Sequence, residues 1–383
     1  PKIKLGNDIW ATKQKSLLAY NDEGGNFKSL PFQVDRISSG TYYGRNGLIQ
    51  SAASNEPRVD FTSNTKGALL LEQQRTNYAL NSNDASQWSN VGGSQSITKT
   101  ANYSIAPEGT KTAARLQASA SGSGYSLISL STISFVGNNS GSVYLKSNTG
   151  NIQNVVVYGR NTVGGVNAYS IGNDWQRIEF QGSGTSGQNL YLFLGSSPNN
   201  GSDNTIDVSV WGGQLEAGTY ATSYIPTSGA AVTRVIDFIE NSYTGLTSAS
   251  GTIFIDLDTK GFDFNFAKII ALRDTVTGDS LRLEPFDSSG IKKFAFFGIN
   301  GSSATPPNED ILPINNRKKI ALTFDSGNFK YASDGVITTG TYSGTARQYN
   351  QIGGANITGG AMHNGMINDF RIYDEVLSDA DLQ

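Results

Sequence analysis

Cysteine is absent from the 383 residues, and histidine occurs once, at His363. No disulfide can staple the fold, and Cys nucleophiles, Cys-based zinc sites and multi-His metal centres are excluded. A Ser–His–Asp triad would have to use His363, and no Gly-x-Ser-x-Gly elbow supplies its nucleophile. Charge is also sparse. Only 16% of residues are charged, against about a quarter in an average domain. The net charge of -3 comes without a long basic run, so a nucleic-acid footprint is not expected. No run of 18 apolar residues exists to span a membrane as a helix. The opening PKIKL lacks the apolar stretch of an export signal, as a trimmed chain also would. Phosphate loops and strand-to-helix dinucleotide fingerprints are missing too.

Glycine, tyrosine and phenylalanine are plentiful instead, at 44, 17 and 18 residues. Low charge and abundant glycine would suit a disordered chain, but disordered segments are poor in aromatics. Rigid β-sandwiches with polar outer faces fit better, and the length asks for two or three domains. The expected fold is all-β: an irregular N-terminal β region over residues 1–80, then two antiparallel β-sandwiches, 81–240 and 241–383.

The pattern along the chain supports this division. In residues 35–50 (DRISSGTYYGRNGLIQ), Asn46-Gly47 predicts a tight hairpin with positive φ at both central positions. The apolar run at residues 68–71 reads as a buried strand. From 81 onward apolar residues alternate with polar ones. Val143 and Leu145 share a face, as do Ile178 and Phe180 with Arg177 and Glu179 opposite, and the runs 189–194 and 206–211 behave likewise. Clusters of Gly, Ser and Asn at 182–187 and 196–203 read as turns. Ile253, Ile255 and Leu257 begin the same alternation in the last third, which continues to residue 373. Ser378 with Asp381 predicts an N-cap and a first helical turn.

Candidate chemistry is thin. Glu216 is the most tempting acid, but its setting beside Gly218 favours a structural hydrogen bond or salt bridge. Trp175 and Trp211 abut strands with clear inward faces, and Trp88 opens the first sandwich, so core packing is expected for all three. A sugar site needs aromatics beside amides, because sugar rings stack on aromatic faces while hydroxyls pair with polar groups. Tyr342, Tyr349 and His363, in polar loops, are the candidate carbohydrate-binding residues. No catalytic residue and no cofactor is expected. Asn- and Asp-rich loops such as 199–203 offer oxygen ligands for structural calcium without a fixed ligand spacing.

Three phrases carry a resemblance. Residues 55–61 (NEPRVDF) with 69–77 (LLLEQQRTN), then Trp88, then 211–234 (WGGQLEAGTYATSYIPTSGAAVTR), resemble, in order and spacing, bacteriophage head or tail fibre and spike structural proteins with a carbohydrate-binding-module-like jelly roll; Gly213 stands where Ala is frequent. Residues 317–325, 328–336 and 365–382 resemble a laminin-G, concanavalin A-like lectin sandwich. The resemblance implies a non-enzymatic virion fibre, spike or decoration protein on the particle surface. It implies a homotrimer whose N-terminal region meets other virion proteins and whose sandwiches meet host-surface glycans. Two alternatives stay open: a secreted bacterial glycan-binding protein, and a glycan-cleaving enzyme with two carboxylates converging in a groove.

Overall fold

The computed structural model describes residues 3–6, 11–13, 16–19, 30–134, 137–159, 166–184, 189–241, 250–259, 270–273, 280–288, 291–297, 310–311, 317–333, 335–341, 349–352, 365–373 and 375–382. The described elements are strands joined by turns, with two short 3-10 turns and one terminal helix, Asp379–Leu382. The all-β expectation holds.

The chain forms two compact units, one of residues 48–50 and 75–234, the other of 1–47, 51–74 and 235–383. The expected boundary at 240 falls at 234/235. The expected separate region 1–80 is divided between the units, because its strand Ala68–Leu71 pairs antiparallel with the late strand Gly365–Tyr373. Long-range pairing, which local pattern does not reveal, sets this boundary.

Residues 75–234 build a jelly roll of two antiparallel sheets, each five-stranded among the described residues. One runs Ser96–Ser104, Ala113–Ser119, Thr205–Ala217, Gly137–Ser147, Gln176–Gly184; the other runs Ser89–Asn90, Ser126–Ser134, Asn189–Ser196, Gln153–Gly159, Asn167–Ile171. Period-two alternation sends Leu116, Val143, Leu145, Val155, Val157, Leu192, Leu194, Val208 and Val210 into one core between them. Trp88 belongs to that core, 2% exposed, with its indole N–H on Asn81 O at 3.2 Å. The strand Gln176–Gly184 runs three residues into the expected turn at 182.

The other unit holds an eight-stranded sheet, among the described residues, centred on Ser250–Thr259 between Arg317–Asp325 and Gly365–Tyr373. Ile253, Ile255 and Leu257 face inward, as their alternation predicts, and meet Leu322, Ile320, Phe370, Ile372 and Ile367 across the register. Another sheet, nine-stranded among the described residues, carries Leu30–Asp35, Phe238–Asn241 and Tyr349–Ile352. The Asn46-Gly47 turn forms differently from the expected tight hairpin. Gly47 N donates to Gly44 O at 3.0 Å and Gly47 alone takes positive φ, +75°, so the turn is the kind in which a single left-handed residue follows two right-handed ones. Ser378 caps the final turn as expected, its N–H and hydroxyl both bonding the Asp381 carboxylate.

Candidate functional site

The phrases at 55–77 and 211–234 turn out to be clasps. In the jelly roll, the strand Thr205–Ala217 bulges opposite Val143, where Gly212 takes φ +68°. Residues 220–227 then fold back over the outer side of this strand. Alternation puts Trp211 on the face opposite Val208 and Val210, yet it is fully buried, because Tyr224 (ring centroids 4.4 Å) and Tyr144 (5.6 Å) cover it. Trp211 is therefore buried as expected, but in a second small core outside the sheet and not between the sheets. Asn77 is the hub. Its amide donates to Ile225 O (2.8 Å) and Gly213 O (3.3 Å), while its oxygen accepts from Leu215 N and Ala79 N, both at 3.0 Å. Gln214 accepts from Ile225 N at 2.6 Å and donates to Thr222 O and Ser223 O. Gly213 lies so close to Trp88 that a Cβ there would stand 2.5 Å from the indole ring, which accounts for glycine at this position.

Glu216 completes the clasp. It has no exposed surface and accepts from the Thr222 N–H at 2.8 Å and from the Thr222 hydroxyl. Burial raises its pKa, against the lowering effect of Thr222, Gln214 and Arg75. Buried and engaged, it is structural, as its setting predicts.

In the other unit the phrase residues Arg58 and Glu72 join Arg36 and Asp237. Asp237 takes Arg36 Nη1 at 2.7 Å on Oδ1 and the Arg58 Nη2 group on Oδ2, while Arg58 Nη1 bonds Glu72 at 2.7 Å. These side chains are at most 2% exposed, so the charges are paired inside the protein.

The expected sugar-binding residues divide. Tyr342 and His363 lie outside the described residues. Tyr349 opens a strand and pairs in register with Leu272, not in a polar loop as expected; the β-prone run Tyr349-Asn-Gln-Ile352 continues the sheet. Trp175 is a correction as well. It is half-buried outside the core, its N–H on Ile105 O at 3.0 Å and the Lys146 ammonium 5.4 Å from its ring. Trp175 shares strand parity with Arg177 and Glu179, the polar side, and that signal was in the sequence. In the 199–203 loop the Asp203 carboxylate turns to Asn154, bonding its N–H at 2.9 Å and its amide at 3.2 Å. Among the described residues no three acidic or His side chains gather as metal ligands.

A different aromatic group meets the chemical requirement. On the outer face of the jelly roll's Ser126–Ser134 sheet, Tyr158, Phe193 and Tyr191 stand in a row. Tyr158 and Phe193 are cross-strand partners, stacked with centroids 4.8 Å apart and planes 22° apart; Tyr191 stacks on Phe193 at 5.3 Å and 17°. All three are half-buried. Ser129, opposite Phe193, adds a hydroxyl to the same face. Burial and the neighbouring Tyr125 raise the Tyr158 pKa, so its phenol keeps its proton and can donate. The alternation of Tyr191 and Phe193 against Leu192 and Leu194 is the sequence signal for this face.

No protein-family model and no curated protein matches the chain. Among solved structures, similarity is found to mouse laminin alpha1 chain domains LG4-5 (12% identity, 62% of this chain and 84% of that chain, TM-score 0.27). It is also found to Trypanosoma rangeli sialidase in complex with sialic acid (10%, 96% and 65%, TM-score 0.30). A third is the CBM22-1-CBM22-2 tandem domain of Paenibacillus barcinonensis Xyn10C (13%, 78% and 96%, TM-score 0.25). At these values the likenesses carry no argument about function. The all-β architecture rests on the strand pairings of the chain itself.

Proposed function

We propose that the chain is a virion structural protein, a fibre, spike or decoration, that displays β-sandwich domains for adhesion to host-surface glycans. The observation that carries the glycan reading is the Tyr158–Phe193–Tyr191 row on a sheet face. Apolar sugar faces pack on such rings, and the phenols offer hydrogen bonds to hydroxyls. The virion reading rests on the resemblance of the phrases at 55–77 and 211–234. Assembly as a homotrimer at the particle surface would multiply weak single-site binding by avidity.

The reading is non-enzymatic. A glycosidase acid must hold its proton near neutral pH and reach the substrate. Glu216 has a raised pKa but lies wholly beneath the 220–227 connector. The test has two arms. The protein should be found in purified particles and crosslink as a trimer. On a glycan array, Phe193→Ala should weaken the signals of the unmodified protein by about tenfold or more, the loss of roughly one good stacking contact. A stable monomer absent from particles refutes the virion role; an array unchanged by Phe193→Ala refutes the glycan row.

A further inference from the structure

The outward face of the eight-stranded sheet carries chemistry that the aromatic row does not use. With Ile253, Ile255 and Leu257 turned inward, Phe254 and Asp256 face outward. Asp256 stands directly opposite Asp369 on the neighbouring strand, next to a bulge at Asn368. Like charges so placed repel, and a guanidinium offsets each. Arg317 bonds Asp256 through Nε and Nη2 at 2.6 and 2.7 Å, and Arg371 bonds Asp369 through Nε at 3.1 Å and Nη2 at 2.6 Å. The carboxylates are nearly buried, 5% and 7% exposed, while Arg317 is 51% and Arg371 29% exposed. Each carboxylate occupies the Nε–Nη2 edge of its arginine, so Nη1 is directed away from it. Acids beneath thus orient two cations above.

These groups line a groove of about 360 Å³. Lys66 and Lys319 line it too, so four cations stand about the two lining carboxylates. Arg371 lies over the Phe254 ring, 5.4 Å from its centroid, which fixes a flat wall. An amide relay from Asn64 to Asn368 (2.8 Å) and on to Asp258 (3.0 Å) builds the opposite side.

We propose that this groove is a second binding site, for an acidic sugar whose ring carboxylate is received by Arg317 and Lys319 and whose ring lies along the Arg371–Phe254 wall. Planar carboxylates match the arginine fork, and a groove of this size suits a short saccharide. Because the Ser250–Thr259 strand is paired on both sides, it offers no edge for an added peptide strand. The groove holds one aromatic ring, too few for the successive stacking by which single-stranded nucleic acid is bound.

The experiment is calorimetric titration of the full chain with a galacturonic acid oligomer and with the methyl ester of the same oligomer. The acid should bind at least about tenfold more tightly than the ester, and more weakly as salt rises. Lys319→Glu, at an exposed position, should abolish acid binding, and Arg317→Lys, which keeps the charge but loses the fork, should weaken it about tenfold. Thermal unfolding checks that each variant is folded, and Lys319→Glu decides alone if Arg317→Lys is not. Phe193→Ala should bind the acid as the unmodified protein does, which separates this site from the jelly-roll row. Equal binding of acid and ester, no binding of the acid, or unaltered binding by Lys319→Glu overturns the proposal.

Discussion

Glu72 and Asp237, 165 positions apart, exchange hydrogen bonds: Glu72 N donates to Asp237 Oδ2 and Asp237 N donates to Glu72 O, both at 3.0 Å. The main chains are thereby locked side by side, and the two carboxylates share Arg58 between them.

Removing one member of such a buried set strands the others. Asp237→Ala leaves Arg36 and Arg58 without their shared carboxylate and should destabilise its unit by about 3–5 kcal/mol. Urea unfolding measures this, and a loss below about 1 kcal/mol would contradict the account.

Glu216 gives a pH dependence. Its folded pKa is raised, chiefly by burial. The folded state therefore holds the proton more tightly than the unfolded chain does. The jelly roll is favoured below the ordinary glutamate range, and that advantage is lost as pH rises from the unfolded value through the folded one. Glu216→Gln should remove this part of the profile. Melting temperatures from pH 4 to 8 for both proteins check it; parallel curves would show that Glu216 titrates alike in the folded and unfolded states, against this account.

At Asn77 the donors and acceptors are all assigned, so a near-isosteric change is informative. Asn77→Asp turns two donated bonds, to Gly213 O and Ile225 O, into oxygen facing oxygen. The expected cost at pH 7 is at least about 2 kcal/mol, shrinking on acidification as the carboxyl regains a donor. Denaturant unfolding at pH 7 and pH 4 gives the comparison, and equal costs at the two pH values would be evidence against this wiring.

Strand positions were legible because period two is local. Val143, Leu145, Ile178, Phe180, Ile253, Ile255 and Leu257 all face where their alternation puts them. Trp88 was legible from its place at the opening of the first sandwich. Trp175 shows the limit of reading by adjacency: it borders a strand, but parity assigns it to the polar side. Trp211 shows the reverse, since parity sends it outward and only the fold-back of Tyr224 buries it. The partition of residues 1–80 depended on the pairing of Ala68–Leu71 with a strand almost three hundred residues later. The aromatic row was half legible. Tyr191 and Phe193 alternate visibly with leucines, but Tyr158 reaches them only across a strand pairing. The charged groove needed three strands in register before its residues could meet.

The strands Arg75–Asn77 and Val232–Arg234 pair antiparallel, with the Thr76 and Thr233 hydroxyls 2.8 Å apart. The jelly roll thus begins and ends at one point, knotted by its own clasp. In chain order it is an insert within the other unit, apart from the short segment 48–50. A module with adjoining ends asks no span of its host. It can be exchanged for another module, or dropped, as one cassette while the recipient scaffold keeps its strand order.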